Sequence, residues 1–202
     1  MNILASAICF LLASFSLLQL PKHQEKAPDP SKFSIVGVTI GQDNLQSLLR
    51  KLGPAKKCHT AGHVEIAGYT DSKENLVFEF GEVGAGSVTA FYLSLPGKPV
   101  GCPLSALPAD ISALSTKGGI HLGMTEEEVA RILGPPKNRP QKGDWRYHWE
   151  WQVKLTEEEK RAQTSATPGY TVSDTADVAI TIKARFVRGV LQYFYVSKLE
   201  VT

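Results

Sequence analysis

The chain has 202 residues, 43% of them hydrophobic and 21% charged, proportions that belong to a folded globular protein and exclude a disordered or collagen-like one. Its 22 basic and 20 acidic residues leave a formal net charge of +2. A field that weak does not argue for nucleic acid or an anionic membrane as a partner.

From Ile3 to Leu20 the chain carries no charged residue, and the first charge is Lys22. Residues 1–20 therefore read as a signal peptide or an N-terminal anchor. The apolar run suits a secretory signal, yet no Lys or Arg precedes it and the best small-x-small site is Ser14-Phe15-Ser16. About 18 apolar residues also just suffice to span a bilayer. Membrane contact is expected only through this segment, if it is retained. Cys9 follows Ile8, where a lipid-attachment site needs a small residue, so lipidation is not expected. The Pro- and Lys-containing stretch 21–34 reads as a flexible tether.

A first unit is expected over 35–102. Asp43 suits an N-cap with Gln46 three positions on, and Leu45, Leu48, Leu49 and Leu52 form one apolar helical stripe. Gly53 reads as a left-handed cap and Pro54 prevents continuation. The period then changes to two, with strands around His63 to Tyr69, Leu76 to Phe80 and Val88 to Leu95, and Gly81, Gly84 and Gly86 turning the last pair. Residues 103–118 form a linker with one or two helical turns near Asp110 to Leu114.

A second unit is expected over 119–202. Thr125 and Glu128 have capping-box spacing, Met124 and Val129 that of a hydrophobic staple, and Val129, Ile132 and Leu133 form the stripe before Gly134-Pro135 stops the helix. Strands follow around Trp145 to Leu155, Val178 to Phe186 and Val190 to Leu199, with Val187-Arg188-Gly189 as a tight turn. Thr156 to Asp174 is an insertion whose Thr156 and Glu159 predict a short solvated helix. Val38 to Pro54 matches Ile120 to Pro135 with one inserted residue. The order helix then strands, used twice, predicts an α+β fold of two tandem units, each a short helix followed by three or more antiparallel strands.

The string Thr116-Lys117-Gly118-Gly119-Ile120-His121-Leu122-Gly123-Met124-Thr125, followed by Val129 and Leu133-Gly134-Pro135, resembles the opening of the β-lactamase-inhibitor-protein-like superfold. That superfold includes the SmpA/OmlA lipoproteins of the outer-membrane barrel-assembly machinery. Gly37 to Pro54 carries a looser version, so the resemblance covers roughly residues 35 to 200, the span of a tandem. It implies a periplasmic, envelope-associated or secreted protein that binds other proteins through a sheet face, without catalysis or cofactor. Inhibition of a secreted enzyme is an alternative of the same kind.

Behind a removed signal two cysteines remain, Cys58 and Cys102. An even count in an oxidising compartment favours a disulfide, with two buried free thiols as the other reading. Trp145, Tyr147, Trp149 and Trp151 alternate with Arg146, His148, Glu150 and Gln152, so the aromatics share one side of a strand. That row is either core beneath the second helix or, at Trp145 and Trp149, an anchor for a partner. In the last strand Leu191, Tyr193 and Tyr195 alternate with apolar Val190, Phe194 and Val196, and Phe91 with Leu93 opposes Val88 and Tyr92 in the first unit. A helix covers only one face, so the other meets the second unit, a loop or a partner. Leu191, Tyr193, Tyr195, Phe91, Trp145 and Trp149 are the candidate binding residues, and the partner is a protein or peptide.

The alternative of another class is a small hydrolase or metal-dependent enzyme using His59, His63 or His148. Cys58, His59 and His63 carry suitable donors, but a zinc site needs a fourth ligand and Cys58 is better paired with Cys102. The sequence contains neither a Gly-x-Ser-x-Gly elbow nor a Gly-x-x-x-x-Gly-Lys loop. Gly81 to Gly86 repeats the glycines of a dinucleotide loop in a hairpin with no helix after it.

Overall fold

The helices predicted to open the two units both form, and each starts on a reciprocal capping box. In the computed structural model, which describes residues 28–59, 65–81, 86–97, 102–111, 113–166 and 173–201, α1 spans Leu45–Leu52 and α2 spans Glu126–Leu133. Thr125 and Glu128 cap α2 as expected. The cap of α1 is one residue later than the sequence reading: Asn44 pairs with Ser47, not Asp43 with Gln46. Asp43 instead accepts from the Thr39 backbone N–H at 2.7 Å and the Lys51 ammonium at 2.6 Å. The single inserted residue of the first segment therefore precedes the cap, and from cap to Gly-Pro the two helices align without a gap.

Gly53 and Gly134 end these helices at φ 77° and 79°, with ψ −173° and 179°. The positive φ matches the expected cap. The extended ψ places both in a region open essentially to glycine alone, not in the left-handed helical well. Each glycine carbonyl is then taken by a buried tyrosine from a strand below: Tyr69 Oη donates to Gly53 O at 2.9 Å and Tyr147 Oη donates to Gly134 O at 2.9 Å.

The strands are β1 (Lys57–His59), β2 (Glu65–Thr70), β3 (Asn75–Phe80), β4 (Val88–Ser94), β5 (Ser105–Ala106), β6 (Asn138–Gln141), β7 (Asp144–Lys154), β8 (Thr175–Val187) and β9 (Val190–Val201). They do not make two sheets. One antiparallel path runs β1-β2-β3-β4-β9-β8-β7-β6, with β5 parallel to β2 as the ninth strand. The last strands of the two predicted units join the halves, Tyr92 facing Tyr195 and Leu93 facing Phe194. The fold is thus α+β, with a nine-stranded sheet and three α-helices among the described residues.

Three strands lie outside the sequence reading, β1, β5 and β6, all short and polar at the margins of the sheet. The helical turns expected near Asp110–Leu114 are absent among the described residues there, where Ile111 N–H closes a turn on Pro108 O at 3.0 Å. The solvated helix does form, as α3 (Glu157–Ala166) on a Thr156–Glu159 capping box. Residues 1–20 and His63 lie outside the described residues. The end of the stretch read as a tether is packed: Pro30–Phe33 forms a 3-10 turn capped by Asp29, and Phe33 is buried. Among the described residues no helix is long and apolar enough to cross a membrane.

One face of the sheet carries the core. Tyr69, Leu76, Phe78, Phe80, Val88, Phe91, Leu93, Phe194, Val196, Ile182 and Trp145 pack there with Leu48 and Leu52 of α1 and Val129 of α2. Both central strands reach it with a bulge at the same place. Glu79 pairs with Ala90 but Phe80 with Val88, leaving Thr89 over, and Arg185 pairs with Tyr193 but Phe186 with Leu191, leaving Gln192 over. An extra residue shifts the alternation by one, so residues on the two sides of a bulge change faces. The residue before each bulge is bonded to the glycine of the preceding loop: Gly41 N–H donates to Val88 O at 2.7 Å, and Gly123 N–H to Leu191 O at 2.9 Å.

Candidate binding surface

The opposite face of the sheet is finished differently in its two halves. Over β2, β3 and the start of β4, Ile66, Val77 and Ala90 point away from the core and are nevertheless buried. The segment carrying β5 crosses here, with the Leu104 side chain pressed on Gly68 so closely that any Cβ at that position would collide with it. Its approach is fixed by the Cys58–Cys102 disulfide, Cα atoms 5.9 Å apart, and by Lys56 N–H donating to Ser105 Oγ at 2.9 Å. The paired-cysteine expectation holds.

Over β7, β8 and β9 the same face is open. Arg146, His148, Glu150, Lys183 and Arg185 are exposed and joined across strands by Arg185–Asp144 at 2.9 Å and His148 Nδ1 to Thr181 Oγ1 at 3.0 Å. Where the open half meets the covered one stand three half-buried tyrosines, Tyr92 of β4 with Tyr193 and Tyr195 of β9. The Tyr92 and Tyr193 rings lie 5.8 Å apart, Lys183 Nζ sits 5.0 Å above the Tyr195 ring, and Tyr195 Oη reaches Glu79 Oε2 at 3.5 Å. Beside them Asp144, Trp145, Arg146, Lys183, Ala184, Arg185 and Tyr193 line an open recess of about 340 Å³.

Burial sets the protonation of this seam. It raises the Tyr92 hydroxyl to about 12, with the Glu79 charge adding to the effect. Tyr193 is pushed up by burial and then by Tyr195, Tyr92 and Glu79, and Tyr195 is pushed up by burial against the opposing hydrogen bond with Ser197, with Glu79 adding to the rise. All three therefore stay neutral donors at physiological pH. Glu79 is raised by desolvation, against the opposing pull of the Tyr195 hydroxyl and Lys183.

The six candidates divide. Tyr193 and Tyr195 lie on the open face. Leu191, expected beside them, is 1% exposed and belongs to the core, because the bulge at Gln192 reverses its side of the strand. Phe91, Trp145 and Trp149 are also core residues. Arg139 and Lys137 sit 5.1 Å and 5.0 Å from the rings of Trp145 and Trp149, covering the indoles that an anchor would have to present. His59 is exposed in edge strand β1, while His148 stands in β7, six strand steps across the sheet, roughly 29 Å at the usual strand spacing. The two do not share a site. No group of three or more His, Cys, Asp or Glu residues among the described residues is placed to hold a metal ion.

Tyr92, Arg146, Lys183 and Arg185 were not singled out from the sequence as site residues. Period-two alternation alone puts Arg146 on the face opposite the tryptophans, so part of the signal was available. The pairing of β4 with β9, which brings Tyr92 against Tyr193, has no local signature. No family model, curated protein or solved structure matches the chain.

Proposed function

We propose that the chain is an exported, non-enzymatic protein-binding module whose binding surface is the open sheet face centred on Tyr92, Tyr193 and Tyr195. The observation that carries this reading is the tyrosine seam itself: three rings with neutral hydroxyls, half-buried and flanked by Arg and Lys side chains, on a face that the first half covers and the second leaves open. Tyr and Arg are the residues most enriched where protein partners dock, since a rigid ring contributes large contact area at little entropic cost. The disulfide suits an oxidising, exported location.

The architecture belongs to the same reading. We take the chain as two related units, α1 with β1–β4 and α2 with β6–β9, joined through their last strands. The matched capping boxes, glycine stops, tyrosine-to-glycine hydrogen bonds and bulges support this. The resemblance to the β-lactamase-inhibitor-protein-like superfold is proposed on the same grounds.

The test is capture from envelope and secreted fractions with wild-type chain and with the Tyr193→Ser/Tyr195→Ser variant. A partner held by wild type and lost by the variant, at an unchanged circular dichroism spectrum, is the expected outcome. Equal capture by both overturns the reading.

A further inference from the structure

We infer that the partner presents an acidic segment, and that the recess beside Tyr193 receives one of its carboxylates. The inference rests on the reading of the tyrosine face as a protein-binding surface and names the chemistry of what binds there.

The recess is lined by three cations, Arg146, Lys183 and Arg185, and one acid, Asp144. Asp144 is already used. Its Oδ1 accepts from Arg185 Nε at 2.9 Å, and its Oδ2 from Gln141 Nε2 at 2.5 Å, and these bonds, led by that to Arg185, hold its carboxyl below the usual range. Arg185 is correspondingly occupied. Arg146 makes no hydrogen bond or ion pair among the described residues. Lys183 rests its ammonium over the Tyr195 ring, an arrangement that leaves N–H donors free for an incoming oxygen. Arg146 and Lys183 are directly opposed in the β7–β8 register, so their heads rise from neighbouring strands on one face.

The other acids of the face do not cancel this pair. Glu79 lies in β3 on the far side of the seam, its carboxylate 3.5 Å from the Tyr195 hydroxyl. Glu150 stands farther along β7, its carboxylate 3.9 Å from His148. A carboxylate entering the recess meets the Arg146 guanidinium, whose charge acts on Asp144 but whose N–H donors are not hydrogen-bonded among the described residues and bind such groups in parallel, an ammonium, and the neutral Tyr193 hydroxyl as a third donor. A Lys or Arg side chain there meets three cations against the one carboxylate of Asp144, and such an excess of one sign selects against it. The chain flanking that carboxylate then passes over the tyrosine rings.

The experiment uses fluorescein-labelled poly-glutamate, poly-glutamine and poly-lysine peptides of equal length, titrated with the whole chain and followed by anisotropy. The expected result is preferential binding of poly-glutamate, weakened severalfold between about 50 and about 300 mM salt. Arg146→Glu and Lys183→Glu each reduce it about tenfold or more, Arg146→Gln and Lys183→Gln less, at unchanged thermal midpoints. Poly-glutamate binding that all four variants retain overturns the inference. Poly-glutamine bound as well as poly-glutamate, and lost in the Tyr193→Ser variant, also overturns it while leaving the tyrosine face standing. No peptide bound, together with equal partner capture by wild type and the tyrosine variant, removes both readings.

Discussion

In the first half of the sheet both faces are closed: α1 packs on one, and the segment around Leu104, held by Cys58–Cys102, crosses the other. In the second half α2 packs on the matching face, but the opposite one is left to Arg146, Lys183, Arg185 and the tyrosines. The inner chemistry of the halves is alike down to single hydrogen bonds. The difference shows at the outward positions of β3 and β8, where Val77 of one corresponds to Lys183 of the other by their registers against β4 and β9. A face meant to be covered needs an apolar residue there, and one meant to stay wet needs a cation with an aliphatic stem. A covered face and an open one are thereby built without changing the scaffold.

The largest expected effect falls on the covering of the first half. The disulfide closes a loop with a sequence separation of 44, and chain-entropy reasoning puts its contribution at about 2–4 kcal/mol. Cys58→Ser/Cys102→Ser should lower stability by that amount in urea titration. The contrast is sharper in amide exchange: protection should fall in β2 and β3, next to the released segment, and persist in β7 and β8. Uniform loss across all nine strands would mean that the segment supports the whole sheet and that the halves are not separable.

An intermediate effect probes their likeness. Tyr69→Phe and Tyr147→Phe each delete the hydroxyl that satisfies the helix-ending glycine carbonyl. Loss of one such partly buried bond costs about 1–2 kcal/mol. We expect nearly equal costs at the two sites, and additive ones in the double variant, because the strands stand about 24 Å apart across the sheet. Costs that differ by more than about 1 kcal/mol, outside the ordinary scatter of such bonds, would show that the two halves do not depend on this contact alike.

The two central devices differ in how far the sequence discloses them. Leu-Gly-Pro after a leucine stripe is a strong local signal, and both helices end where it predicts. The first cap slipped by one because Asp43 and Asn44 are adjacent and equally suited to the role, and only the partner, Ser47 rather than Gln46, decides between them. Inner strands were legible through alternation. Edge strands were not, since Lys57-Cys58-His59 and Asn138-Arg139-Pro140-Gln141 have no apolar face to bury, and a proline within the run is tolerated only at an edge. For the site, Tyr193 and Tyr195 follow from period two. Leu191 was misplaced because nothing in Leu191-Gln192-Tyr193 marks a bulge, and the union of the halves through β4 and β9 depends on a pairing distant in sequence.

The smallest expected effect concerns the hairpin that ends the open half. Arg188 and Gly189 link β8 to β9 with φ 53° and 79°, the two positive values that a type I′ turn requires. Glycine accepts this freely, whereas an arginine held in the left-handed region is strained, and Asn is the side chain best suited to the first central position. Arg188 is exposed and makes no hydrogen bond or ion pair among the described residues. Arg188→Asn should therefore stabilise the chain by about 0.5–1 kcal/mol, a gain of a few degrees in thermal midpoint. Peptide binding should stay unchanged, because the turn lies beyond the tyrosine seam. A loss of stability would mean that the long side chain packs on the hairpin more firmly than its exposure indicates, and a loss of binding would extend the working face to the end of the second half.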